Sequence, residues 1–222
     1  MENRPIPEET GLTFYSKISA SISHELKNVL AVINESAGFL EDVTLMAKKG
    51  VPLDPGRLGS LAGTILKQVQ RANTIIKNMN RLAHSLDEKQ AAVDISSLLE
   101  LMLCVSERIA VNRGVQIGGT VPENPISLIT RPFFLETLVW ILLDFAMNMC
   151  GETKSINVQV ARTDAGADIA FSGLAAVTEA EADRFFAGKT APLLDALGAN
   201  LRVIEGEGRL IVSLPAACSA LP

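Results

Sequence analysis

The chain has 222 residues, 48% of them hydrophobic, and a formal net charge of −5. That length and apolar content exclude a disordered or fibrous chain and suit one large or two small domains with buried cores. The acidic balance, with no dense Lys/Arg block, excludes an electrostatic surface for nucleic acid or anionic membrane, so protein partners are expected.

The opening "MENRPIPEETGLTFYSK" has no basic-then-apolar signal architecture. The longest apolar run, "LVWILLDFAM", is too short to span a bilayer and contains Asp144. A cytoplasmic protein without a membrane segment is the expectation. Cys104, Cys150 and Cys218 are far apart and lack metal-ligand spacing, which reads as three buried, reduced thiols and no metal site.

In chain order, the spacing predicts a first helix from about Thr13 to Lys48. Ile18, Ile22, Leu26, Val29, Ile33, Ala37 and Leu40 recur every three or four residues along it. "KKGVPLDPG" stops it with Gly and Pro. A second helix is predicted from about Gly56 to Ser85, with a wide stripe of Leu58, Leu61, Ile65, Leu66, Val69, Ala72, Ile75, Ile76, Met79 and Leu82. Two helices with such broad stripes cannot bury them against each other alone, so a dimeric four-helix bundle is expected. Gly38 and Gly63, inside these helices, read as close-packing contacts.

"DEKQAAVD" reads as a polar link, after which Asp94 caps a helix ending at Gly114. Strands "VQIGGTV" and "ISLIT" follow, then a helix from near Pro132 to near Met149. "SINVQVAR" and "ADIAFSG" form a hairpin around "TDAG". Two short helices precede "ANLRVIEGEGRLIVSLP", where alternating strands flank a Gly-rich turn. The predicted fold is therefore α+β: a helical hairpin over residues 1–90, then an α/β sandwich over 91–222 with helices on one face of a sheet.

One stretch carries chemistry. In "SISHELKNVLA", His24 lies off the apolar stripe, and Asn28, four residues on, shares its face, so an imidazole and a carboxamide are expected together in water. A neutral imidazole is a competent nucleophile near pH 7 and can hold a phosphoryl group as a phosphoramidate. Glu25 can orient the other ring nitrogen or relay its proton, and Asn28 can hydrogen-bond a water without repelling a phosphoryl group. Standing alone, an exposed His is an ordinary surface residue, and Glu25 with Lys27 are ordinary helix-face charges. His84, near the end of the second helix, complements the helix dipole and is assigned no chemistry.

This stretch resembles the H-box of bacterial sensor histidine kinases, Ser-His-Glu-Leu-(Lys/Arg)-(Asn/Thr)-Pro-Leu, with Val29 in place of the proline. That exchange implies a straighter first helix. Residues 93–149 resemble the layout that opens the family's ATP-binding domain, and the final strands resemble its close. The ATP motifs themselves do not carry over. The best alignment puts Ile141 and Phe145 at the two asparagines that hold Mg-ATP; a shifted register offers Asp144 and Asn148, for which a buried capping or helix-face role is the simpler reading. "LAAVTEAEAD" replaces the Asp-x-Gly-x-Gly box, and "RFFAGKTAPLLDALG" replaces the Gly-rich lid. "AGKT" imitates the end of a P-loop, but Asp183 stands where the first glycine belongs, so it reads as chance.

The resemblance implies a homodimeric histidine phosphotransferase, similar to those of the alphaproteobacterial cell-cycle phosphorelay. His24, Glu25 and Asn28 would be its catalytic residues and receiver-domain aspartates its partners. It would bind no cofactor itself, Mg²⁺ arriving with the receiver. Alternatives are a response-regulator phosphatase using Glu25 and Asn28, a pseudokinase scaffold that binds a partner, and, last, a kinase with unusual ATP motifs.

Overall fold

The computed structural model describes residues 7–120, 122 and 124–218; the expectations placed on residues 1–6, on Val121 and Glu123, and on 219–222 lie outside them. Two compact units result: Ser19–Arg81, and Met1–Ile18 together with Leu82–Pro222.

The first unit is a helical hairpin cut from two long helices, α1 (Pro7–Lys48) and α2 (Pro55–His84). α1 has 42 residues and runs unbroken across Val29, where a proline would have removed a backbone hydrogen bond. It ends as Gly50 turns to φ 87° while Lys49, Gly50 and Val51 donate back to the Met46 and Ala47 carbonyls. Asp54 opens α2 by accepting from the Gly56 amide at 2.9 Å. Ile22, Val29 and Ile75 are buried along the seam, with Leu26, Ile33, Leu61 and Ile65 half-buried beside them. Each buried aliphatic side chain contributes about 1.5–3 kcal/mol. Leu30, Leu45, Leu66, Val69 and Ile76 remain 42–63% exposed. Gly38 and Gly63 do not pack closely: nothing lies within 4 Å of where a Cβ would stand.

The second unit is an α/β sandwich. In chain order it holds β1 (Ala91–Asp94), α3 (Ile95–Asn112), β2 (Gln116–Thr120), β3 (Ser127–Thr130), α4 (Pro132–Asn148), β4 (Ser155–Thr163), β5 (Gly166–Ser172), α5 (Glu179–Phe186), α6 (Ala191–Leu197), β6 (Asn200–Ile204) and β7 (Arg209–Pro215). The five-stranded sheet has the order β2-β4-β5-β7-β6, with β2 parallel to β4 and every other pair antiparallel. Burial alternates along the strands: Ile156, Val158, Val160, Ile169, Phe171, Leu210, Val212 and Leu214 face the core. α3 and α4 supply the other side of that core. α4 is apolar nearly all round, from Leu135 to Met147, as a helix sunk in a core must be.

Three expectations need correction here. The link before α3 is not wholly irregular, because Ala91–Asp94 pairs antiparallel with β3 as a two-stranded sheet. α1 begins at Pro7 rather than near Thr13, since its first turns dock on α4. Phe14, 1% exposed, lies 6.0 Å ring to ring from both Phe133 and Trp140, and a Cβ on Gly11 would collide with the Phe133 ring. Finally, only Cys218 is buried; Cys150 is partly covered and Cys104 exposed. Asp94 does cap α3, accepting from the Ser96 amide at 3.0 Å. Among the described residues no helix is long and apolar enough to cross a membrane.

Candidate functional site

His24 and Asn28 both lie exposed on α1, about 40° apart around the helix axis, while Ile22 and Val29 turn inward. The His24 ring has no hydrogen-bond or ion-pair partner among the described residues, so both ring nitrogens are open to an incoming group. Its exposure follows from position, because a residue two after Ile22 and five before Val29 falls opposite the seam.

Glu25 is placed differently from its neighbours. Its carboxylate is tied to α2: Arg71 donates to Oε1 from Nη2 at 2.8 Å and from Nε at 3.3 Å. The Glu25 side chain is 22% exposed and that of Arg71 59%. Glu25 thus bonds to a residue the sequence reading did not single out, and it makes no hydrogen bond to His24 among the described residues. Farther along the hairpin, the Arg57 guanidinium sits 4.7 Å over the Phe39 ring. The two contacts belong to one antiparallel register, fourteen residues apart on each helix. His84, at the end of α2, sets Nδ1 2.9 Å from Asp87 Oδ2.

In the second unit, the positions aligned with the family's Mg-ATP asparagines are filled by carbon. Ile141 is 7% and Phe145 1% exposed. The Phe145 ring lies 5.0 Å from Phe185 and 4.8 Å from Phe186, which stack edge to face on each other. Aliphatic and aromatic side chains supply neither a ligand for Mg²⁺ nor a donor for phosphate, so these residues do not fit Mg-ATP. Asp144 and Asn148 are helix-face groups but not buried, the first partly covered and the second exposed; Arg113 Nη2 donates to Asp144 Oδ1 at 2.6 Å and its Nη1 lies 3.4 Å from Asn148 Oδ1. A recess of about 290 Å³ beside the start of α1, the middle of α4 and the end of α5 is lined by Phe14, Trp140 and Phe185. Lys17 and Lys189 also line it.

The connection from β5 to α5 carries no aspartate-glycine pair. Gly173 instead stands there, needed both for its φ of 92° and because a Cβ would strike the Ser155 carbonyl. "AGKT" forms the turn between α5 and α6, with the Lys189 ammonium 5.2 Å over the Phe185 ring. A P-loop leaves a strand, and this turn leaves a helix. Thr178 and Glu181 form a capping box at the start of α5, and the bonds from the Thr178 amide and hydroxyl hold the Glu181 carboxyl below its ordinary value. No set of three or more His, Cys, Asp or Glu side chains among the described residues could hold a metal ion.

No protein-family model matches the sequence. No curated protein matches it either. Solved structures do. The nucleotide-free catalytic domain of the histidine kinase ThkA gives a TM-score of 0.50 at 12% identity, over 60% of this chain and 100% of that one. The Acinetobacter baumannii histidine kinase AdeS gives 0.48 at 12% identity, covering 87% and 98%. The ATP-binding domain of PrrB from Mycobacterium tuberculosis gives 0.48 at 21%, covering 58% and 98%. At these identities the likeness concerns the fold alone, that of an α/β sheet domain matching the catalytic domain of a histidine kinase.

Proposed function

We propose that this chain is a histidine phosphotransferase of two-component signalling, passing phosphoryl groups between His24 and receiver-domain aspartates without ATP. The observation that carries the reading is His24 itself, exposed and unpartnered on a long hairpin with Asn28 beside it. The kinase-like fold of the second unit supports it, and so does the packing of Phe185 and Phe186 on Phe145, which the alignment sets at one of the family's Mg-ATP asparagines. The reaction runs in line. The lone pair of one His24 ring nitrogen forms a bond to phosphorus as the bond to the receiver's aspartate oxygen breaks, and the aspartate leaves as a carboxylate. Glu25 takes the hydrogen bond of the other ring nitrogen, and the receiver supplies Mg²⁺ and the acceptor.

Residues 1–90 act as the dimerising phosphotransfer module, which contains the compact hairpin unit, and 91–222 as the ATPase-like module. A second copy covers the apolar residues left exposed on the hairpin, Leu66 and Ile76 among them. A phosphatase reading draws on Asn28, which is free to align a water on a receiver's phosphoryl group.

Incubation with receiver domains phosphorylated by acetyl phosphate should place acid-labile label on His24. His24→Ala should abolish acceptance while changing stability by less than about 0.5 kcal/mol, because the side chain is exposed. Loss of phosphate from the receiver that survives His24→Ala and disappears with Asn28→Ala would establish the phosphatase instead.

A further inference from the structure

The residue that completes the site comes from the other helix. We propose that Arg71 is a positioning residue for transfer at His24, holding Glu25 by one carboxylate oxygen so that the other is presented to the histidine ring. The inference rests on the phosphotransfer reading above.

Its basis is how Arg71 binds. A guanidinium beside a carboxylate commonly makes two parallel bonds, one to each oxygen. Here both donors converge on Oε1, at 2.8 and 3.3 Å, which leaves Oε2 without a partner among the described residues. Glu25 follows His24 directly in the chain and is mostly covered, so its carboxylate has little freedom once Oε1 is fixed. Unlike the compact ammonium of lysine, the planar guanidinium carries its donors in a fixed fork, so two of them can meet one carboxylate oxygen.

The charge balance argues the same way. A bare carboxylate next to the nucleophile repels an incoming phosphoryl group; one paired with a guanidinium presents no net charge and still offers a lone pair. During transfer the attacking nitrogen forms the bond to phosphorus and the aspartate departs with its electron pair. The ring then carries a positive charge and one N–H, which Oε2 of Glu25 accepts as a hydrogen bond. In the return transfer the ring gives up the phosphoryl group and becomes neutral again. Arg71 takes no proton and touches no reacting atom.

The test is single-turnover transfer from receiver domains phosphorylated with acetyl phosphate, with receiver concentration varied and circular dichroism used to verify folding. Arg71→Ala should slow the maximal rate about 10- to 100-fold with the half-saturating receiver concentration within about twofold of wild type. Arg71→Lys, which keeps a charge on α2, should recover most of that loss. In a Glu25→Gln background, Arg71→Ala should have no further effect, since Arg71 acts through the carboxylate. Three results would each overturn the inference: a wild-type rate in Arg71→Ala; a loss confined to receiver affinity; or an undiminished further loss in the Glu25→Gln background, which would put Arg71 on the phosphoryl group itself. A wild-type chain that never acquires label on His24 ends the phosphotransfer reading, whereas a labelled wild type with an equally fast Arg71→Ala ends this inference alone.

Discussion

Replacing Phe14 by alanine tests whether the first turns of α1 are a structural part of the second unit. The ring is 1% exposed and sits 6.0 Å from both Phe133 and Trp140. Deleting a buried phenylalanine ring costs about 3–5 kcal/mol, a figure that includes the lost aromatic contacts and the cavity left on α4. Gly11, one turn earlier, is backed against Phe133 and has no side chain of its own to refill the space. With a denaturant slope of about 2.5 kcal/mol per molar urea for a chain of this size, the unfolding midpoint should fall by about 1–2 M. The chain has a single tryptophan, Trp140, so its fluorescence reports this contact directly. Amide exchange should show residues 9–18 losing protection before the sheet does. A midpoint that moves by less than about 0.5 M, with exchange in 9–18 unchanged, would refute the docking argument.

Because Ile141 and Phe145 offer no polar atom and Phe185 and Phe186 pack on the latter, titration calorimetry with Mg-ATP should show no binding, and a dissociation constant of tens of micromolar or below would contradict that. Light scattering of the full chain should give twice the chain mass, and Leu66→Glu with Ile76→Glu should yield monomers; an unchanged mass would move the dimer contact elsewhere. The Glu181 carboxyl is held low first by the Thr178 amide and then by its hydroxyl, so its share of stability is present above the ordinary carboxylate value and lost as pH falls through the depressed one. Glu181→Gln should therefore flatten the acid limb of stability measured at α5, and an unaltered limb would show the capping box to be inert.

The hairpin was legible because a 3.6-residue period sustained over some thirty residues has one solution, and the same geometry put His24 and Asn28 in water. The sheet was legible because "SINVQVAR", "ADIAFSG" and the final strands alternate cleanly about Gly-rich turns. β1 was not, since Ala-Ala-Val-Asp has little strand preference of its own and is made a strand by pairing with β3. The start of α1 was hidden by Gly11, which weakens a helix locally and earns its place only through contact with Phe133, more than a hundred residues away. Gly38 and Gly63 show the converse, since a glycine in a helix does not by itself announce a close neighbour. At the site, Arg71 and Arg113 were invisible for one reason: each pairs with a residue 46 or 31 positions distant, and no local pattern marks the partner.

The fourteen-residue spacing between two contacts, the same on α1 and on α2, acts as a gauge block for the chemistry at its far end. His24 lies about 35 Å along α1 from the Lys49–Asp54 turn, so the match of the two helices over that length decides which side chain of α2 arrives opposite Glu25. The Phe39–Arg57 and Glu25–Arg71 contacts share one phase, so a single residue inserted within α2 between Arg57 and Arg71 would turn the helix beyond it by about 100° and bring Gln70 toward the position Arg71 now fills. Seven residues added to both helices would leave the phase intact, because two turns of each helix return nearly to the same face. Hairpins exchanged between chains of this architecture therefore keep their pairing only when the two helices keep equal spacing between the contacts.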